Sequence, residues 1–253
     1  MGPEIRFEQV SRNFGAVSAV AGVDLTIAAG SFIALVGESG SGKSTLLRAI
    51  NRLDEGAIRA GRVTIGGVDI AASPSTELRR RIGYVFQSIG LFPHMDVAAN
   101  LAIGRRVRGE TLADTQVAAL LDQVGLPAEF ARRMPRELSG GQAQRVGIAR
   151  ALAIAPEILL LDEPFAALDP VTRDSLGKTV RALHEANSLT TILVTHDMAE
   201  AMLLADRVIV LAAGKIVADA SPADLAAGRG GAEAEALVAI PRQQARRIAE
   251  LGG

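Results

Sequence analysis

The sequence predicts an α/β fold. Its core is a mostly parallel sheet around a phosphate-binding loop, joined by an antiparallel β subdomain and an α-helical insertion. Three observations carry this prediction. Gly37-Glu38-Ser39-Gly40-Ser41-Gly42-Lys43-Ser44-Thr45 fits the phosphate-loop pattern G-x-x-x-x-G-K-[ST]. Short apolar runs such as Ile158–Leu161 and Thr191–Val194 alternate with helical periodicity, as buried parallel strands and their crossovers do. Residues 88–137 carry helical spacing and no strand pattern.

The loop has the context its letters require. Phe32-Ile33-Ala34-Leu35-Val36 before it reads as a buried strand, and Leu46, Leu47, Ile50 and Leu53 after it recur at helical spacing. The glycines let backbone N–H groups turn onto phosphate oxygens, and the helix start adds positive potential. Lys43 is placed to neutralise β- and γ-phosphate charge, and Ser44 to offer its hydroxyl to Mg²⁺.

The chain has 253 residues, enough for a sizeable core. Lys and Arg number 27 against 28 Asp and Glu, so no basic excess argues for nucleic acid as a partner. The absence of cysteine excludes disulfides and thiolate metal sites. No apolar run approaches the length of a membrane span, and Met1-Gly2-Pro3-Glu4-Ile5-Arg6 lacks the pattern of a signal peptide. Residence in the cytoplasm is the expectation.

Taken in order, residues 4–35 read as short strands with turns, and residues 61–70 add a hairpin-like piece at Gly66-Gly67. Ile82–Phe86 reads as a core strand ending at Gln87. The insertion reads as helices over Val97–Ile103, Leu112–Val124 and Ala128–Met134, separated at Gly104, Gly109, Gly125-Leu126-Pro127 and Pro135. Helices follow over Gly140–Ile154, Val171–Ala186 and Met198–Leu204, with strands at Ile158–Leu161, Thr191–Val194, Val208–Leu211 and Ile216-Val217. The expected division is a main domain over 3–230, its helical insertion near 88–137, and a short helical tail over 231–253 broken at Pro241. The pairs and triples of arginine (Arg79–Arg81, Arg105-Arg106, Arg132-Arg133, Arg246-Arg247) read as solvated helix faces, and His184 as a surface residue.

Two further stretches carry chemistry. Asp162-Glu163 ends an apolar strand. Beside a phosphate loop, Asp162 suits a Mg²⁺ held through water, and Glu163 suits the orientation or deprotonation of an attacking water. Ser139 and Gln142 have capping-box spacing ahead of a helix whose first turn begins Gly140-Gly141, which makes a second anion-accepting helix start.

Together Gly37 to Thr45, Gln87, Leu138-Ser139-Gly140-Gly141-Gln142, Asp162-Glu163, Ala167-Leu168-Asp169 and His196 resemble, in this order, the ATP-binding subunit of ABC transporters. The resemblance covers nearly the whole chain and implies a P-loop (RecA-like) core that binds ATP and Mg²⁺. It implies a head-to-tail dimer of two such subunits, each ATP lying between the phosphate loop of one and the Ser139 helix of the other. By the same resemblance Phe14 stacks on adenine, where the family more often has Tyr. Gln87 touches Mg²⁺ and senses the membrane subunit, Asp169 links the two active sites, and His196 contacts the γ-phosphate.

The implied activity is ATP hydrolysis that powers solute import. The implied partners are separate transmembrane permease subunits, contacting near Gln87–Met95 through an exposed Leu91-Phe92 pair, and a periplasmic or extracellular substrate-binding protein. The implied location is the cytoplasmic face of the membrane, peripherally held. Ile89-Gly90-Leu91-Phe92-Pro93-His94-Met95 and Asp169-Pro170-Val171-Thr172-Arg173 look like the osmoprotectant branch, whose cargo is glycine betaine, choline or related quaternary amines. A polar amino-acid importer shares every catalytic motif named here and is the alternative. A soluble ATPase acting on ribosomes or DNA fits less well, since those relatives carry tandem cassettes or long coiled coils. An exporter also fits less well, since exporters often fuse the cassette to membrane spans.

Overall fold

A computed structural model describes residues 1–53 and 60–251. The chain opens with two long strands, β1 (Ile5–Phe14) and β2 (Val17–Ile27), where the sequence suggested short pieces. They pair antiparallel, and irregular register between Phe7 and Asn13 lets them bend across the body. Next come β3 (Phe32–Val36), α1 (Lys43–Ile50), β4 (Ala60–Ile65), β5 (Val68–Asp69), α2 (Ser75–Arg79) and β6 (Ile82–Val85). Helix α1 ends at Asn51, so Leu53 lies beyond it and is partly exposed rather than on its apolar face.

The insertion holds α3 (Val97–Arg106), α4 (Asp114–Gln123) and a 3₁₀ segment over Ala128–Arg132. Gly104 does not end a helix as its type suggested. It lies within α3, where a Cβ would run into the Ile154 side chain, so the glycine serves close packing. After α5 (Gly140–Leu152) come β7 (Ile158–Asp162), α6 (Pro170–Asn187), β8 (Thr190–Val194), α7 (Met198–Leu204), β9 (Arg207–Ala212), β10 (Lys215–Ala220), α8 (Pro222–Ala226) and α9 (Ala232–Leu251).

Two sheets result. One is antiparallel, in the order β2-β1-β4-β5. The other runs β10-β9-β3-β8-β7-β6, parallel throughout except where β10 meets β9. The parallel sheet is buried on both faces, which is why its strands read as continuous apolar runs. Alternation along β3 shows this directly. Phe32, Ala34 and Val36 join a core with the α3, α5, α6 and α7 side, while Ile33 and Leu35 join a second core with α1 and the antiparallel sheet. Replacing Leu35 by Ala in this packing would cost about 2–5 kcal/mol.

Two expectations change here. Helix α9 runs unbroken through Pro241, so the single N–H a proline withdraws does not end it. The tail is also docked: Ala234 and Val238 are buried in the larger core, and Arg242 donates to the Leu225 and Ala226 carbonyls at 2.9 and 2.6 Å. Residues 252 and 253 of the expected tail lie outside the described residues. His184 is not on the surface. It is 4% exposed, its Nδ1 is 3.0 Å from the Thr191 hydroxyl, and its ring packs 5.2 Å from that of Phe32. Burial, with Arg181 nearby, holds its pKa below the ordinary value.

The arginines do more than coat helix faces. Arg79 donates to the Asn51 and Arg52 carbonyls, Arg81 pairs with Glu157, Arg105 donates to Ala153, and Arg133 stacks on Phe130. The Arg246 side chain lies outside the described residues.

Candidate functional site

Because β3, β6, β7 and β8 run parallel, their C-terminal ends share one edge of the sheet, the edge where open α/β folds bind ligands. The loop Gly37–Thr45 leaves β3 there. Gln87 follows β6, Asp162-Glu163 ends β7, and His196 follows β8. The topology thus assembles residues spread over 160 positions of sequence.

The loop is a cradle that larger residues would fill. Gly37 and Gly42 have φ of +148° and +104°, and a Cβ on them would overlap the Leu211 and Ala19 carbonyl oxygens. The Leu46 N–H donates to Gly42 at 2.9 Å, the first helical bond, so the amides before it are those a helix start leaves open. Glu38, Ser39 and Gly40 are exposed at the tip; Ser41 is buried and its hydroxyl has no partner. Lys43 is 5% exposed and its Nζ donates to the Gly37 and Glu38 carbonyls, both at 2.7 Å. Burial lowers its pKa, against the pull of Glu163 and Asp162. This arrangement of open amides, one buried cation and a buried unpartnered hydroxyl fits a polyphosphate.

Asp162 is 2% exposed and fully engaged. Ser44 Oγ donates to its Oδ1 at 2.7 Å, while Tyr84 Oη donates to Oδ2 at 2.9 Å and Arg48 Nη2 approaches Oδ2 at 3.4 Å. Burial and the charge of Asp162 hold the Tyr84 phenol far above its ordinary pKa, so it remains a donor. No group of three His, Cys, Asp or Glu among the described residues could hold a metal. The available donors are the Ser44 hydroxyl, the Gln87 amide oxygen and the Asp162 carboxylate. That hard-oxygen set suits Mg²⁺ completed by phosphate and water.

Glu163 sits in the left-handed region, φ +47°, a conformation Glu rarely adopts; its N–H donates to the Val194 carbonyl at 3.0 Å. Its carboxylate receives Gln87 Nε2 at 3.4 Å and faces His196 Nδ1 at 3.4 Å. Gln87 and His196 are exposed, so these three groups converge at an open edge.

Other expected residues stand apart. Phe14 ends β1 with its ring 52% exposed and Arg12 stacked 4.4 Å from it, a free face on the antiparallel sheet. Ser139 caps α5 as expected: Gln142 N donates to Ser139 Oγ at 3.3 Å and Ser139 N to Gln142 Oε1 at 2.9 Å. Among the described residues no hydrogen bond or ion pair joins this cap to the phosphate loop. A Cβ on Gly141 would meet Thr172 at 2.7 Å, but one on Gly140 would meet nothing within 4 Å. Packing within the chain gives no reason for Gly140. Asp169 caps α6, accepting from Val171 and Thr172 at 3.1 and 3.0 Å. Leu91 packs against the core and only Phe92 is exposed, so the expected exposed pair is a single ring.

Sequence reading missed several neighbours. Tyr84 is the only tyrosine of the chain, on an apolar strand, and that was its one signal. Neither Arg48 nor Arg173 was given a place at the site by the sequence reading. On the far side of the loop, Glu233, Ala236 and Leu237 of α9 close a cavity of about 460 Å³ against Gly37–Ser41.

A protein-family model described as ABC transporter matches residues 20–166. The chain belongs to that family. The cassette is 46% identical over 220 residues to the glycine betaine uptake system ATP-binding protein YehX of Escherichia coli, covering 86% of this chain and 71% of the relative. It is 45% identical to the glycine betaine/carnitine/choline transport ATP-binding protein OpuCA of Bacillus subtilis, covering 87% of this chain but 58% of that protein. The sulfate/thiosulfate import ATP-binding protein CysA of Xylella fastidiosa is 47% identical, at 87% and 64% coverage. Thus the chain spans less than two thirds of two of these relatives. Among solved structures, the dimeric ABC transporter cassette MJ0796 superposes with a TM-score of 0.78 at 32% identity, covering 86% of this cassette and 98% of that one. The same protein in a post-hydrolysis state bound to ADP and Pi gives 0.77.

Proposed function

We propose that this chain is the ATP-hydrolysing subunit of an importer whose membrane-spanning subunits are separate chains. Among the described residues no helix is long and apolar enough to cross a membrane. The observation that carries the reading is the shared edge: phosphate loop, Ser44–Asp162 pair, and Glu163 between Gln87 and His196. Such a constellation has little to do but position a phosphoryl group and a water.

In this reading the open amides and Lys43 hold the β- and γ-phosphates of ATP, and Phe14 offers its free face to adenine. Bound there, Mg²⁺ would neutralise phosphate charge, and Ser44, Gln87 and Asp162 are the residues that would hold it. Glu163 accepts a proton from the attacking water. His196 holds the γ-phosphate and the Glu163 carboxylate in one geometry. The Ser139–Gly140 helix start serves the ATP of a second copy, which accounts for a glycine that packing does not require. Asp169 lies on that same interface. The cassette is the body of 3–230 and α9 is its docked tail.

For cargo, a quaternary-amine osmoprotectant is the reading, supported by the run Ile89–Met95 and by the glycine betaine relatives, with sulfate the competing cargo since its relatives stand at similar identity. The permease contact falls near Gln87–Met95, with Phe92 as its exposed anchor, and a periplasmic or extracellular substrate-binding protein delivers the solute. The assembly then lies at the cytoplasmic face of the membrane. The test is uptake of labelled betaine, choline and sulfate by cells with and without this gene at high osmolarity. Loss of betaine or choline uptake supports the cargo; loss of sulfate uptake alone overturns it and leaves the ATPase reading standing.

A further inference from the structure

We propose that Arg173 is a positioning residue that ties the loop ending at Asp169 to the turn carrying His196; this rests on the ATPase reading above. Arg173 lies in the first turns of α6. Its Nη2 donates to the Leu168 carbonyl at 3.1 Å, inside that loop. On its other side Nη1 is 3.6 Å from Asp197 Oδ2, and Nε is 3.4 Å from Glu200 Oε1. One planar guanidinium therefore hydrogen-bonds one segment and faces two carboxylates of the other, a spread that suits its rigid fork better than the point charge of an ammonium.

The two carboxylates it meets are the ones that shape the His196 turn. Asp197 caps α7, accepting from Ala199 and Glu200 at 2.8 and 3.2 Å. Glu200 accepts the Thr195 hydroxyl at 2.7 Å, and that same oxygen accepts the Asp197 N–H at 3.0 Å. His196 stands between Thr195 and Asp197 with its side chain 62% exposed. Packing does not hold such a ring; its flanking backbone does, and Arg173 braces that backbone. Glu163, Arg173, Thr195, His196 and Glu200 line one small cavity of about 10 Å³, so the braced turn and the carboxylate share a boundary. A shift of the Asp169 loop thus moves Arg173 and, through Asp197 and Glu200, His196.

The test combines turnover with a spectroscopic reading. Arg173→Ala is expected to lower kcat about tenfold with KM for ATP within about twofold, as misplacement of a catalytic group does. In a His196→Ala background the same change is expected to cost less than about twofold, because residues acting through one another are not additive. With three histidines in the chain, ring resonances are readily assigned. The His196 ring signals should move in Arg173→Ala while those of His94 hold still. Arg173→Lys, which keeps the charge but not the fork, should fall between wild type and Ala, and it carries the test if the Ala variant does not fold. Equal losses in both backgrounds, or unmoved His196 resonances, would overturn the proposal. The resonance arm needs no turnover, so a wild-type chain that hydrolyses no ATP would sink the ATPase reading separately.

Discussion

Glu163 Oε2 and His196 Nδ1 face each other at 3.4 Å across the ends of two neighbouring strands, β7 and β8. The strands are in register up to Asp162 beside Val194, and the pair stands one and two residues beyond those ends. Glu163→Gln retains the shape and the contacts to Gln87 and His196 but cannot take a proton. The expected outcome is ATP binding near wild type, turnover down by at least about a hundredfold, and a trapped ATP-bound dimer. Phosphate release and sedimentation with ATP read this; near-normal hydrolysis would remove Glu163 from its role.

Tyr84 acts one layer further back. Its hydroxyl holds Asp162 Oδ2 while Ser44 holds Oδ1. Tyr84→Phe leaves Oδ2 to Arg48 alone. Partners of this kind set metal affinity by about tenfold or more. The Mg²⁺ concentration for half-maximal ATP binding should rise by about tenfold, with metal-free ATP binding unchanged. Equal weakening with and without Mg²⁺ would mean the phenol only packs.

How much of this was legible in the sequence depends on how far apart the participants are. The phosphate loop, the Ser139–Gln142 cap and Asp162-Glu163 are each written within a few residues, and the structure has them as read. That Gln87 and His196 join Glu163 at one site came from the resemblance, and the parallel strands bring the three together. What was hidden depends on distant partners. Gly104 looked like a break because Ile154, which it must admit, is 50 positions away. His184 looked like surface because its neighbours Phe32 and Thr191 come from two other strands. Pro241 looked like an end because nothing local shows a helix docked on both sides of it. Arg173 was read only within the Asp169–Arg173 run because the groups it meets lie in the loop before α6 and at the start of α7.

His184 gives a pH dependence with a definite sign. Burial holds its folded pKa below the ordinary 6.5, so the unfolded chain binds a proton that the folded chain refuses. Stability is therefore full above about pH 6.5 and falls as pH drops from there toward the folded pKa. His184→Gln, which can still reach Thr191, should make the fall in Tm below about pH 6.5 shallower. An unchanged slope would place the dependence on other groups.

Ser139→Arg tests the second helix start. The Ser139 side chain is exposed and caps α5, so the change removes the cap, about 1 kcal/mol, and puts a bulky cation at an open anion site. Binding of a fluorescent ATP analogue to the monomer should stay within about twofold, while ATP-driven dimerisation in sedimentation is lost. Loss of monomer binding would place both phosphate sites within one chain.

The central claim, that ATP lies between the phosphate loop of one copy and the Ser139 helix of another, has a direct test because the chain contains no cysteine. One preparation carries Ser39→Cys, a second carries Ser139→Cys, both with Glu163→Gln to hold the ATP-bound state. Mixed and oxidised, they should form a covalent dimer with ATP and not without it. A mixture that stays monomeric with ATP, or a doubly substituted chain that cross-links within itself, would contradict the account.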